Sequence, residues 1–161
     1  MKKEEKTNVM RVLDSMHAEY KKHTYESDGA VDGVTVARLI GKDEPCVFKT
    51  LVCVGKSKNH YVFVIPVARE LDLKKAASAA GEKNIEMVKS RELLPLTGYV
   101  HGGCSPIGMK KFFKTYVDES ARNCETVVFS AGKIGFQVEM SPDTLSSVIR
   151  LDYADLVKEE F

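Results

Sequence analysis

Apolar residues recur at helical spacing at Val9, Val12, Leu13 and Met16, just after Thr7 and Asn8, either of which can cap a helix. The pattern predicts an N-terminal amphipathic helix ending near Glu19, with His17 beside its apolar stripe. Residues 20–25 then read as a short strand on the β-formers Tyr20, Thr24 and Tyr25. Asp28-Gly29 and Asp32-Gly33 mark loop, and residues 35–40 read as a short helix closed by Gly41 in the left-handed conformation. Residues 46–54 are almost wholly β-branched, aromatic or apolar, as in a strand covered on both faces. After a turn over residues 54–59, a second apolar strand at 60–67 completes a β-hairpin.

Asp72 is placed to cap a helix over residues 74–80 that stops at Gly81. Residues 85–88 form a short strand, and Ser90 opens a one-turn helix that Pro95 ends. Residues 97–108 hold four glycines and one proline in twelve positions, too many for a regular element. Strands follow at 115–118, 126–130 and 136–140, the last two joined into a hairpin through Ala131-Gly132-Lys133-Ile134-Gly135. Ser141 and Pro142 suit the first positions of a last helix, and residues 151–153 close the chain with a strand. Hairpins mixed with helices, without strict alternation, predict an α+β domain with a mixed, strongly curved or closed, barrel-like sheet flanked by helices.

The length of 161 residues, with 43% hydrophobic and 29% charged residues, fits a single soluble domain over 1–161, residues 1–6 being a charged tail. No apolar run is long enough for a membrane span, and the tail lacks the apolar segment of a signal peptide, so the expectation is a cytoplasmic protein with no membrane partner. A net charge of +1 lacks the strong basic excess of many nucleic-acid binders. Basic clusters at Lys21-Lys22, Lys56 with Lys58, Lys74-Lys75, and Lys110-Lys111 with Lys114 leave room for a modest RNA contact. Cys46, Cys53, Cys104 and Cys124 form no C-x-x-C pair, and His17, His23, His60 and His101 show no metal spacing. Neither a metal nor a cofactor is expected. Cys46 and Cys53 lie at opposite ends of one predicted strand, too far apart to bridge, and reduced thiols are expected throughout.

Lys49 stands inside the first covered strand. A desolvated ammonium is unfavourable without a partner, which makes an anionic or electron-rich ligand the candidate for Lys49. The alternative is a snorkelling edge-strand lysine with its head in water.

Four segments resemble the YbaK/EbsC family, which includes the editing domain inserted in bacterial prolyl-tRNA synthetases. They are His23-Thr24-Tyr25-Glu26, Val47-Phe48-Lys49-Thr50-Leu51, the whole of 97–108 and Ser130-Ala131-Gly132-Lys133-Ile134-Gly135. Leu71-Asp72-Leu73-Lys74-Lys75 fits between them, and the likeness runs in order from about Thr7 to Val157. Among the family's branches the free-standing Cys-tRNA(Pro) deacylases are the most similar. The resemblance implies a mixed β-barrel flanked by helices. It implies a hydrolytic activity on mischarged tRNA at its 3′ aminoacyl end, with prolyl-tRNA synthetase as partner. Cysteine is nearly proline-sized, and an apolar pocket separates such near-isosteres poorly, so a second, editing site is needed.

An aminoacyl ester is already activated, and what helps most is a set of oriented donors for the developing oxyanion. The Gly102-Gly103-Cys104-Ser105-Pro106 loop can offer backbone N–H groups at close range, and Cys104, Ser105, Pro106 and Gly108 count among the candidate substrate-binding positions. Lys49 can hold the terminal ribose, a phosphate or the carbonyl region as a compact charge with three donors. Tyr25 and Ser130 can hydrogen-bond the substrate, and Gly132 and Lys133 can meet the tRNA end. The resemblance further implies that the substrate's own thiol attacks its ester carbonyl, consistent with the absence of a Ser-His-Asp set. Cys104 reads as a small packing residue, with only His101 near enough in sequence to activate it. Tyr25 can equally be core, and Ser105-Pro106 can simply fix the loop. Gln137 stands where the family often has a carboxylate, and residues 31–34 lack an aromatic residue frequent there. Two further readings therefore stand beside the first: a deacylase for another small amino acid, such as one acting on Ala-tRNA(Pro), and a non-catalytic relative that binds tRNA ends or a synthetase.

Overall fold

The computed structural model describes residues 5–159. Residues 1–4 of the charged tail lie outside them. Helix α1 (Asn8–Ser15) is capped by the Thr7 hydroxyl, which accepts from the Met10 N–H at 3.3 Å, and it buries Val9, Met10 and Leu13. It stops a turn earlier than expected. His17 adopts a positive φ of 57°, and the Ala18 N–H turns back to the Leu13 carbonyl at 3.0 Å, closing the helix end. Strand β1 (Lys21–Thr24) follows. Helix α2 (Gly33–Ile40) starts two residues before the expected 35–40. The side chain of Asp32, which the sequence placed in a loop, accepts from the Thr35 N–H at 2.7 Å and caps it.

A 3₁₀ turn at Glu44–Cys46 replaces the expected start of the next strand, so β2 runs over Phe48–Gly55 and pairs antiparallel with β3 (His60–Pro66). Helix α3 (Leu73–Ala80) has its expected caps, Asp72 accepting from the Lys74 and Lys75 N–H groups and Gly81 at φ 71°. Strand β4 (Ile85–Met87) precedes helix α4 (Ser90–Thr97). Here Pro95 lies inside the helix rather than ending it. The Thr97 hydroxyl donates to the Leu93 carbonyl at 2.7 Å and the Gly98 N–H to the Leu94 carbonyl at 2.9 Å, which carries the helix past the proline. Strand β5 (Lys114–Asp118), a 3₁₀ turn at Glu119–Asn123, β6 (Val127–Ser130), β7 (Phe136–Met140), α5 (Pro142–Val148) and β8 (Asp152–Ala154) complete the order.

The strands form the expected mixed α+β architecture as two sheets, and the sheet is left open. One is antiparallel, β1-β7-β6; the other is mixed, β4-β2-β3-β5-β8, with parallel pairing between β3 and β5 and between β5 and β8. A parallel bridge between Val47 and Val128 sets β6 beside the start of β2. Alternation along β2 and β3 divides the apolar side chains between two faces. Phe48, Val52, Val62 and Val64 join α1, Phe129 and Val138 in the main core, whereas Cys53, Phe63 and Ile65 pack with Ala76, Ala77 and Leu156. Strand β4 pairs with β2 only from Cys53 to Gly55. Between that pairing and the bridge to β6 at Val47, β2 has no ladder partner on that side among the described residues, and Phe48, Lys49, Thr50 and Leu51 line a cavity.

The expectation of reduced thiols fails at two positions. Cys46 and Cys124 form a disulfide across 78 residues, their Cα atoms 5.9 Å apart, whereas Cys53 and Cys104 are free and buried. The strand rule that keeps Cys46 from Cys53 says nothing of a partner brought in by the second sheet. Among the described residues no helix is long and apolar enough to cross a membrane.

Candidate functional site

The cavity beside β2 has a volume of about 330 Å³. Its walls are mostly apolar: Val31, Val36, Val47, Phe48, Leu51, Val67 and Leu93. Its polar lining comes from Asp32, Lys49, Thr50, His101, Ser130 and Gln137, with backbone from Gly33 and Gly102 and the side of Cys104. Four of the residues singled out in the sequence therefore meet here: Lys49, Gly102, Cys104 and Ser130.

Lys49 comes from β2, opposite Ile65 of β3, and is half-buried. Burial holds its ammonium below the usual lysine value, partly offset by the carboxylate of Glu70. No ion pair or hydrogen bond to another side chain engages it among the described residues. The lysine is thus partly desolvated and unpartnered at a cavity wall, the state that the sequence argument attached to a ligand-facing lysine.

The glycine loop reaches the cavity by close packing. A side chain on Gly102, at φ 86°, would stand 2.7 Å from the Ala30 Cβ, so only glycine lets the loop pass there. Tyr99, to which the sequence assigned no role, organises the rest. Its buried hydroxyl donates to the Ile107 carbonyl at 2.5 Å, and burial pushes its pKa up to about 12. Its ring leaves no room at Gly132, where a Cβ would lie 2.8 Å from Tyr99 Cε1, and so it ties the glycine loop to the β6–β7 turn. The Gly103 N–H is already committed to the Val100 carbonyl at 2.9 Å. The N–H groups of Gly102 and Cys104 carry no hydrogen bond among the described residues, which makes these two, rather than Gly103, the available donors.

Cys104 is buried, and desolvation pushes its thiol pKa up to about 12. It stays protonated at neutral pH and packs the wall as a small apolar residue. The Ser130 hydroxyl accepts from the Gly132 N–H at 3.1 Å and keeps its own proton for the cavity.

The other sequence candidates lie elsewhere. Tyr25 is half-buried just after β1, where its N–H donates to the Gly135 carbonyl at 3.0 Å, and it does not line the cavity. Ser105 and Pro106 are buried behind the loop, the Ser105 hydroxyl accepting from the Ile107 N–H at 3.3 Å. Gly108 faces Tyr99 and Asn8. Lys133 is exposed at the hairpin tip, where it is paired with Glu5 and lies 5.4 Å from the centre of the Phe136 ring. Asp32, the one carboxylate of the lining, belongs to the 31–34 loop that the sequence marked by its missing aromatic residue, but its own side chain was given no role there. The signal for it was an Asp immediately before an apolar helical pattern. Among the described residues no cluster of three His, Cys, Asp or Glu side chains could hold a metal ion.

The sequence pattern of the aminoacyl-tRNA editing domain matches residues 29–148, a span that contains the whole lining of this cavity. The chain belongs to that family. A protein of Enterococcus faecalis with the provisional name Cys-tRNA(Pro)/Cys-tRNA(Cys) deacylase EbsC is 41% identical over 160 residues, covering 99% of this chain and 98% of its own. The fold is shared with a solved structure provisionally described as a trans-editing enzyme for prolyl-tRNA synthetase, at a TM-score of 0.81 and 22% identity, over 96% of this chain and all of that one. The hypothetical protein APE2540 superposes with a TM-score of 0.83 at 22% identity, over 93% and 99% of the two chains. In this editing-domain fold the cavity lies where one open edge of β2, the glycine loop and the end of β6 converge.

Proposed function

We propose that this protein is a trans-editing deacylase that removes cysteine from mischarged tRNA(Pro). The observation that carries the reading is Lys49: a half-buried ammonium without an ion pair among the described residues, on the wall of a mostly apolar cavity that Gly102 and Cys104, with their unbonded N–H groups, also line. The near full-length likeness to the Enterococcus faecalis protein supports cysteine as the amino acid.

The apolar walls suit a small side chain. Lys49 holds the 3′-terminal ribose or phosphate, and the Gly102 and Cys104 N–H groups face the oxygen that becomes negative as the carbonyl is attacked. The Ser130 hydroxyl donates to the substrate from the opposite strand. The attacking group is the substrate's thiol. Its sulfur bonds to the ester carbonyl carbon, the carbon–oxygen bond to the ribose breaks, and the thiol proton ends on the released 3′-terminal oxygen. This chemistry asks for no protein nucleophile, in keeping with Cys104 being protonated. Prolyl-tRNA synthetase, the source of the mischarged tRNA, presents the substrate. A net charge of +1 gives the chain little general attraction for tRNA, and such a handover compensates for it.

The test is deacylation of a panel of mischarged tRNAs by the purified protein. Cys-tRNA(Pro) should be cleared and Pro-tRNA(Pro) spared. Clearance of Ala-tRNA(Pro) with Cys-tRNA(Pro) left intact at enzyme excess would move the protein to the alanine branch. Binding without hydrolysis of any ester would make it a tRNA-end-binding relative.

A further inference from the structure

Asp32 is the one carboxylate in the cavity lining, and it is fixed rather than free to swing. Its Oδ1 accepts the Thr35 N–H at 2.7 Å at the start of α2, and the Thr35 hydroxyl and the Val34 N–H also donate to the carboxylate, which holds its pKa below the usual value and keeps it charged. The cation it senses is Arg38 on its own helix, whereas Lys49 senses Glu70. Asp32 and Lys49 line the same cavity, and no ion pair joins them among the described residues. A small cavity with an anion at one place and a cation at another is complementary to a ligand that carries both signs. The 3′ end of an aminoacyl-tRNA is such a ligand: an α-ammonium on the amino acid and phosphate on the nucleotide.

We propose that Asp32 receives the α-ammonium of the aminoacyl group and so selects esters with a free amine over N-blocked ones. The inference rests on the deacylase reading above and adds to it the group that orients the amino acid. With the ammonium at Asp32 and the nucleotide at Lys49, the ester carbonyl lies between them, on the side of the glycine loop. A peptidyl-tRNA or an N-formylated initiator end has no ammonium for Asp32 to hold, so the same contact spares them. Asp32 stands at the exposed rim of the cavity, where solvent weakens an ion pair, and the expected discrimination is modest.

The experiment compares Cys-tRNA(Pro) with its N-acetylated form, on wild type, Asp32→Asn and Asp32→Ser. Asparagine and serine both cap helices as well as aspartate does, so α2 is kept and melting curves should coincide. Wild type should favour the free amine by about five- to tenfold in kcat/KM, the change being mostly in KM. Both variants should lose that preference while acting on the N-acetyl ester at the wild-type rate. A merely structural role for Asp32 would slow both substrates alike, and that result overturns the proposal, as does a preference retained in both variants. A second arm needs no turnover. Binding of 3′-cysteinylamino-adenosine, an amide that resists cleavage, is compared with its N-acetyl form. Equal affinity of the two for wild type overturns the role of Asp32. A free-amine preference in this arm that Asp32→Asn and Asp32→Ser both lose, with no hydrolysis of any ester, upholds Asp32 and instead removes the deacylase reading.

Discussion

Cys46 is bonded to Cys124 immediately before Val47, whose bridge to Val128 joins the two sheets. The covalent link thus lies beside the hydrogen-bonded one, at the base of the two strands that carry Lys49 and Ser130 to the cavity. Each cysteine sits at the end of a 3₁₀ turn, and the Cys124 N–H is held by the Ala121 carbonyl at 3.1 Å. The bond staples two turns at a seam where, among the described residues, backbone pairing between the sheets is a single isolated bridge.

Removing the bond, by reductant or by Cys46→Ala with Cys124→Ala, should therefore lower the melting temperature. A 78-residue loop corresponds to roughly 4.5 kcal/mol of closure entropy, and measured effects are usually about 2–4 kcal/mol. For a chain of this size that is roughly 5–15 °C. Melting curves with and without dithiothreitol check it, the double variant serving as the control that no longer responds. An identical curve for wild type in both conditions would mean that the stability of the seam owes nothing to the bond.

What the sequence made legible divides along the range of the interactions involved. The β2–β3 hairpin, α3 between Asp72 and Gly81, and the β6–β7 hairpin are set by alternation, caps and turn glycines within a dozen residues, and all three are found as expected. The end of α1 was missed because a non-glycine residue, His17, takes the left-handed position. The disulfide was missed because its partners are 78 residues apart, in 3₁₀ turns that lead into strands of different sheets. Within the site, Lys49 was legible because a lysine in a covered strand is unusual anywhere. Which loop residues face the cavity was not, since Tyr99 decides it by packing between α1, the glycine loop and the β6–β7 turn. Tyr25 and Lys133 lie close in sequence to residues that matter, and only the tertiary arrangement separates them from the cavity.

Lys49→Ala should slow deacylation while leaving the fold intact. Losing a hydrogen bond to a charged group is worth about 1.5–3 kcal/mol, or roughly ten- to a hundred-fold in rate. Lys49→Arg should also be impaired, because a planar fork does not replace a compact charge in a confined space. The wild-type ammonium is partly desolvated, with its pKa below the usual 10.5, so the unfolded chain holds that proton more tightly than the folded one. The penalty is fully present below the folded pKa and is relieved as pH rises toward 10.5, so stability gains with pH in that window. Lys49→Ala should melt at the same temperature or slightly higher at neutral pH and lose that alkaline gain. Single-turnover rates with melting curves beside them provide the measurement. A wild-type rate in Lys49→Ala would reduce Lys49 to a surface lysine.

Cys104 and metal ions should both prove dispensable. A thiol held up near pKa 12 by burial is no nucleophile at neutral pH, and Cys104→Ala removes only one small atom from the wall. Its deacylation rate should stay within a few-fold of wild type, and chelator treatment should leave the rate unchanged. A collapse of activity in Cys104→Ala with an unchanged melting curve would reinstate a covalent mechanism. Restoration of a chelated enzyme by zinc would point to a metal.

Glu139 offers the clearest dependence on acid. It is a buried carboxylate on β7 that accepts from Thr126 at 2.5 Å, from His23 at 2.7 Å and from Lys42 at 3.0 Å. Burial alone would raise its pKa, but these three donors together hold it down to about 2 from 4.5. The folded protein therefore binds this proton less tightly than the unfolded chain. The resulting stability is complete above pH 4.5 and is lost as pH falls from there toward 2. Glu139→Gln removes the charge and leaves Lys42 and His23 without their acceptor, which costs about 1–3 kcal/mol at neutral pH. It should also flatten the acid limb, since glutamine has no proton to take up. Denaturant midpoints from pH 7 down to pH 3 measure both effects. Because Lys42 follows α2 and His23 lies on β1, the network ties the helix that forms one cavity wall to the three-stranded sheet. A variant as stable as wild type at pH 7 and equally acid-sensitive would show that this tie contributes nothing.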